Sequence, residues 1–387
     1  MSKSNETTPN VPTLRFREFI DSWTLIPIKK LLRFQNGINA DSTKYGKGIK
    51  YISVSDILNN QYITYDCIKG LIDIDEKTLN RFIVEYGDIL FQRSSETFED
   101  IGRANVYLDK EHSATFGGFV IRGKKISDYN PLFFRYLLCT HNARKQTVRM
   151  GAGAQHYNIG QEGLEKICLY FPCLQEQQKI SDLLFAIDNK IAVQNKIISD
   201  LKVLKKELNG FLISRLIKGK ESNCKIEDVI DYEQPTGYIV NSDKYIVDGK
   251  TPVLTANKAF FLGYTNEKEG IYDKSDCIIF DDFTLDFKYV DFPFKVKSSA
   301  IKILTAKKSI ELRYFYEYLL FLNLNTNEHK RHYISEIATL PLYLPLIDEQ
   351  RRVLSVLNAI SSKIAVEEKY KTTLLTQKKY ILNAMFI

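Results

Sequence analysis

Asp276, Asp286 and Lys288 are the residues of this 387-residue chain whose types and spacing come nearest to a reaction centre. Two carboxylates and an amine can hold a divalent cation and position a water for hydrolysis. Acids in strand-end turns give the same spacing, and that is the reading adopted, with no catalytic residue and no metal ligand expected. A DNA methyltransferase would need a glycine-rich cofactor loop and an Asn-Pro-Pro-aromatic motif. Gly151-Ala152-Gly153-Ala154-Gln155-His156 lacks the third glycine and Asn130-Pro131-Leu132-Phe133 lacks the second proline, so they read as a glycine turn and the start of a helix. No GxxxxGK[ST] phosphate loop occurs, and Cys139 and His141 lie close without a third partner. The six cysteines show no CxxC spacing, and His329 with His332 is the one close histidine pair, so buried reduced thiols are expected rather than disulfides or zinc.

A hydrophobic content of 44% with 26% charged residues is ordinary for a folded protein of two or three domains. Met1 to Pro12 is polar and no apolar run approaches the ~20 residues of a membrane helix, so a cytoplasmic location and no membrane partner are expected. The net charge of +7 is uneven: 23 basic against 19 acidic residues in 1–173, 9 against 5 in 174–220, 15 against 19 in 221–345, and 7 against 4 in 346–387. Within the acidic stretch, Lys288, Lys295, Lys297, Lys302, Lys307 and Lys308 are interrupted by Asp291 alone, giving a basic stripe that reads as either a nucleic-acid face or a solvated one.

What must position any of these residues is a duplicated element. Pro172-Cys173-Leu174-Gln175-Glu176-Gln177 returns as Pro345-Leu346-Ile347-Asp348-Glu349-Gln350, and 172–214 laid on 345–387 without a gap gives 14 identities in 43 positions. An apolar seam at alternating spacings of three and four runs through Ile180, Leu184, Ile187, Ile191, Gln194, Ile198, Leu201, Lys205, Leu208 and Leu212. It recurs through Val353, Leu357, Ile360, Ile364, Glu367, Lys371, Leu374, Lys378 and Ile381. Such seams bury themselves against a partner helix, with occasional polar members fixing register, so the two copies are expected to pack antiparallel. Each helix is about 40 residues, or ~60 Å at 1.5 Å per residue. The prolines mark where each begins, and Gly219 marks where the first ends.

The regions between the helices echo each other faintly. Tyr86-Gly87-Asp88-Ile89-Leu90-Phe91 pairs with Lys274-Ser275-Asp276-Cys277-Ile278-Ile279-Phe280, Phe134 to Leu138 with Tyr316 to Leu320, and His156-Tyr157 with His332-Tyr333. Strand-like runs such as 49–54, 116–121, 278–280 and 300–304 separate them. Two mixed α/β heads with curved sheets, related by a pseudo-twofold, are expected.

With the twin Pro-x-x-x-Glu-Gln starts and the opening Leu14-Arg15-Phe16-Arg17-Glu18-Phe19 before Trp23, the whole chain resembles the specificity subunit of type I restriction-modification systems. The resemblance implies an α+β chain: an N-terminal segment 1–19, a target-recognition domain 20–173, a spacer helix 174–220, a second target-recognition domain 221–345 and a second spacer helix 346–387. It implies that each head reads half of a split site on double-stranded DNA and that the antiparallel helices, a coiled-coil strut, set the gap. It also implies two docked methyltransferase subunits that bring S-adenosylmethionine and methylate adenine, restriction subunits in the full complex, and no cofactor or catalytic centre on this chain.

Reading base edges takes Arg or Lys for guanine and Asn or Gln for adenine, with Ser, Thr and backbone groups on phosphates. In the first head, loops with that chemistry hold Gln35, Asn36, Gln92, Arg93, Ser94, Ser95, Arg103, Arg149, Gln155, His156, Tyr157 and Asn158. In the second they hold Thr255, Asn257, Lys258, Thr284, Lys297, Ser298, Lys330, Arg331, His332 and Tyr333. Glu176, Gln177, Glu349 and Gln350, at the repeated helix starts, are the candidates for docking partner subunits. The competing reading is a helical-hairpin adaptor whose heads bind proteins.

Overall fold

The computed structural model describes residues 10–387 apart from 154, 155, 258, 308, 327 and 329, and the chain divides into two units, Met1–Asn195 with Tyr370–Ile387, and Lys196–Lys369. In the first unit, short runs of β-branched and aromatic residues pair as strands, where such side chains pack well on a pleated surface. The order is β1 (Thr24–Pro27), β2 (Leu32–Asn36), β3 (Tyr45–Ile52), α1 (Val54–Asn59), β4 (Gly70–Ile72), α2 (Glu76–Arg81), β5 (Ile89–Gln92), β6 (Ser94–Ser95), β7 (Ala104–Val106), β8 (Thr115–Phe116), β9 (Val120–Lys125), α3 (Pro131–Leu138), α4 (His141–Arg149), β10 (Tyr157–Asn158), α5 (Gln161–Glu165) and β11 (Cys168–Phe171), leading into the long helix α6 (Leu174–Ile217). The strands form sheets β2-β9-β5-β7 and β4-β3-β8, with two-stranded ribbons β1-β11 and β10-β6.

The second unit holds β12 (Cys224–Lys225), α7 (Ile226–Val229), β13 (Ile230–Glu233), β14 (Thr251–Leu254), β15 (Phe261–Thr265), β16 (Cys277–Asp281), β17 (Phe287–Val290), β18 (Lys295–Val296), β19 (Ile301–Ala306), α8 (Leu312–Leu322), β20 (Pro341–Leu342) and the start of α9 (Ile347–Ala384). Its sheets, β13-β19-β16-β17 and β15-β14-β18 with ribbon β12-β20, repeat the first unit's two sheets and its β1-β11 ribbon strand for strand, while the β10-β6 ribbon has no counterpart among the described residues. Even the parallel pair recurs, β3 with β8 and β14 with β18. Two of the three faint echoes in sequence, 86–91 with 274–280 and 134–138 with 316–320, thus fall on equivalent elements of one topology used twice. Two expected strands shift: Ser53 and Asp56 form a capping box that turns Val54 into α1, and the run 116–121 breaks at Gly117-Gly118-Phe119 into β8 and β9.

The seam is the inward face of both long helices. Ile180, Leu184, Ile187, Gln194, Ile198, Val353, Leu357, Leu374 and Ile381 are buried, and the remaining seam residues are half-buried. Ile180, Leu184 and Ile187 of α6 share the first unit's core with Ile381 of α9 and with Met385 and Phe386 just beyond it. Ile213 of α6 shares the second unit's core with Val353, Leu354 and Leu357 of α9. The beginning of each helix thus joins a core with the end of the other, the antiparallel packing that the seams require. Ion pairs Asp188–Lys378 (2.5 Å) and Lys202–Glu368 (2.7 Å) join the helices in the same sense. Gly219, at φ +73°, ends α6 in the left-handed conformation that glycine tolerates.

All six cysteines are free, but Cys277 alone is buried; Cys139 and Cys173 are exposed, contrary to expectation. Among the described residues no helix is long and apolar enough to cross a membrane.

Candidate nucleic-acid interface

The first unit's central sheet ends in a cluster of polar loops. Asn36 closes β2 opposite Ile121 and Gln92 closes β5 opposite Val120, so both lie at one end of the four strands. Arg93, just beyond β5, donates its N–H to Phe119 O (2.9 Å) and its guanidinium to Gly118 O (3.3 Å). β10 then pairs Tyr157 with Ser95 and Asn158 with Ser94, joining loops far apart in sequence, and Ser94 Oγ donates to Asn158 Oδ1 (2.5 Å). Gln92, Ser94, Ser95, Arg103 and His156 line one open cleft of about 410 Å³, with Asp100 holding Arg103 at 2.6 Å. Gln92 donates to Ser94 O (2.8 Å) while its Oε1 is buried without a partner. Gln35 accepts from the buried Arg122 (2.5 Å) and is tied into the sheet. Arg149 is exposed at the end of α4, and Gln155 lies outside the described residues.

In the second unit the backbone pairing supplies a correspondence that the sequence could not. Asp281 pairs with Ile301 as Gln92 pairs with Val120, and Asp282 N–H donates to Ala300 O (2.9 Å) as Arg93 N–H donates to Phe119 O. His332 N–H donates to Asp282 O (3.0 Å) as Ile159 N–H does to Arg93 O (3.0 Å). An arginine in one unit thus stands where the other has an aspartate. Asp282 is buried against Lys302 (3.4 Å) and accepts from the backbone of His332 (3.1 Å) and Tyr333 (2.7 Å).

These contacts correct several expectations. His332 and Tyr333 are buried and do not match His156-Tyr157, whose histidine is exposed. The His332 ring is 2.7 Å from Glu336, whose hydrogen bond raises the imidazole's affinity for a proton. Thr255 is buried too, its N–H donating to Phe260 O. Lys295 and Lys302 are buried in ion pairs with Glu267 and Asp282, so the basic stripe is not one continuous face. The exposed candidates are Asn257, Thr284, Lys297, Lys330, ion-paired to Glu328 and Glu336, and Arg331, with Ser298 half-exposed; Lys258 lies outside the described residues. Asp276 and Asp286 sit at opposite ends of the β16–β17 hairpin, whose register pairs Cys277 with Val290 and Phe280 with Phe287. About four residues of strand at ~3.4 Å each separate them, too far to share a cation.

The repeated helix starts hold a second motif. Gln177 donates to Pro172 O and accepts from Asn130 N–H, both at 2.9 Å; Gln350 donates to Pro345 O and accepts from Glu311 N–H, again both at 2.9 Å. Each glutamine locks the start of a long helix to the start of α3 or α8. Glu176, fully buried, takes Arg15 at 2.7 Å through both oxygens, which raises the affinity of that guanidinium for its proton. Glu176, Gln177 and Gln350 are therefore not available for docking, because internal partners occupy their side chains. Glu349 is half-buried and 3.6 Å from Lys220. The opening motif also acts internally: Trp23 packs edge-on against Phe133 and Phe386, and Leu14 N–H donates to Ala384 O (2.9 Å).

Two units of one topology, different at their sheet ends and threaded by duplicated antiparallel helices, define a class of modular recognition proteins. The chain belongs to the type I restriction modification DNA specificity domain family, which matches residues 22–203 and 219–376. It is 39% identical over 169 residues to the EcoR124I/EcoR124II specificity subunit of Escherichia coli, covering 42% of this chain and 40% of that one, so the match spans less than half of that relative. It is 23% identical, over 95% of this chain and 93% of the other, to the putative MjaX specificity subunit of Methanocaldococcus jannaschii. The crystal structure of a type I restriction-modification S subunit from M. genitalium shares the fold, with a TM-score of 0.60 at 15% identity, over 97% of this chain and 99% of that one.

Proposed function

We propose that this chain is the noncatalytic DNA-reading subunit of a type I restriction-modification complex, each unit reading one half of a split site and the paired helices fixing the gap. The observation that carries this is one topology used twice with different residues at equivalent positions, Gln92 and Arg93 against Asp281 and Asp282. A shared scaffold with exchanged tip residues is how two modules read two sequences. Methyltransferase subunits, which bring S-adenosylmethionine, dock on the helices, and restriction subunits join the full complex. Docking falls on the outer helix faces, where Val193 and Val366, equivalent in the repeat, are 59% and 60% exposed. Exposed apolar side chains at matching places suit two copies of one partner.

The test is reconstitution with the methyltransferase subunit and S-adenosylmethionine, followed by sequencing that maps methylated adenines. Methylation is expected at a bipartite motif and only when this chain is present. Methylation that is independent of the chain would overturn the reading.

A further inference from the structure

Phe119 is 69% exposed, yet its turn is tightly built. A Cβ on Gly37 would stand 2.1 Å from Gly117 O, so backbone packs there where only glycine fits, and one on Gly118 would run into the Asn39 side chain, 1.6 Å from its Oδ1. Val120 N–H donates to Gly117 O (2.9 Å) and closes the turn, and Arg93 N–H holds Phe119 O. A lone exposed apolar side chain is ordinary on a protein surface. This one is mounted on a fixed backbone beside Arg93, at the sheet end where Asn36, Gln92 and Ser94 gather. Its counterpart in the second unit, by backbone hydrogen bonding, is Ala300. The topology therefore does not need the ring.

We propose that Phe119 is a specificity-determining residue of the first unit, its ring set against the apolar surface of a base in the half-site which that unit reads. The assignment rests on the DNA-reading function above. Phenylalanine takes the thymine methyl in the major groove or wedges between base steps in the minor groove, and a ring on a fixed turn loses little freedom on contact. Either contact makes discrimination at one step depend on the ring.

The test selects duplexes from a randomised pool with the full-length chain in complex with its methyltransferase subunit, comparing wild type, F119A and F119Y. F119A is expected to lose about tenfold or more of its preference at one or two adjacent positions of one half-site. The other half-site and the melting temperature stay unchanged, and F119Y keeps most of the preference. A selective wild type matched by F119A at every position would overturn this assignment alone. A wild type without sequence preference overturns both this assignment and the function on which it rests.

Discussion

At the scale of single residues, the side chains repeated between the two helix starts serve the fold. Gln350 bridges Pro345 O and Glu311 N–H while almost completely buried, as Gln177 bridges Pro172 O and Asn130 N–H. Truncation of Gln350 to alanine removes these bonds, with a longer one to Ser309 O (3.3 Å), and strands a buried N–H and a buried carbonyl, each worth about 1 kcal/mol or more. Q350A is expected to lower unfolding stability by about 2 kcal/mol in a denaturant titration, whereas alanine at the exposed Arg352 should cost less than about 0.5 kcal/mol. The repetition of these residues was visible in the sequence, but a motif duplicated for an internal clamp reads the same as one duplicated for a partner. Phe119 was hidden for the opposite reason. It sits in the run Phe116–Ile121, which reads as one strand in the sequence, whereas the structure breaks the run at Gly117-Gly118, where Gly37 packs against Gly117 and the Phe119 ring is exposed.

At the scale of elements, the helices were legible because a three-and-four seam over some forty residues has one good burial solution, and the polar seam positions show how each unit completes it. Lys205 and Lys378 occupy equivalent places in the repeat. Lys378 is neutralised by Asp188, which also accepts from Tyr136 of α3, and burial beside that carboxylate keeps the Tyr136 phenol protonated far above its usual range. Lys205 is neutralised by Glu317 of α8 (2.7 Å). Counting from Asn130 and Glu311, the two N–H groups that meet the clamp glutamines, Glu317 stands where Tyr136 stands. One requirement, an acid for a seam lysine, is met from different elements, and so pairwise echoes in sequence were too faint to align. Val193 and Val366, at equivalent places on the outer helix faces, are each more than half exposed. V193D and V366D leave the cores intact, and each is expected to weaken methyltransferase binding at least tenfold at its own helix in titration calorimetry. The double variant should retain neither binding step, whereas full binding by it would place docking elsewhere.

At the scale of the whole molecule, the physical content of the proposed function is that separation between half-sites is set by helix length rather than by base contacts. A helix rises 1.5 Å per residue, so four added residues lengthen it by about 6 Å and turn it by about 40° beyond a full turn. At about 3.4 Å per base pair along duplex DNA, that is close to two base pairs. An insertion after Gln194 alone would throw the two seams out of step, because α6 and α9 bury the same face over their length. A matching insertion after Glu367, the equivalent position of the repeat, keeps them aligned. The doubly extended chain, expressed with its methyltransferase, is expected to methylate a motif with both half-sites unchanged and the unspecified gap lengthened by about two base pairs, read by sequencing of methylated adenines. The added rotation strains both docked units on the duplex, so the methylation rate should fall even where the new spacing is met. A change in the sequence of either half-site would mean that the helices help to shape the reading ends. The clamps at Gln177 and Gln350 make that outcome the sharper test, because they tie each helix start to the helix α3 or α8 of a reading unit. Leaving both clamps in place while lengthening the helices is what separates a spacer from a lever.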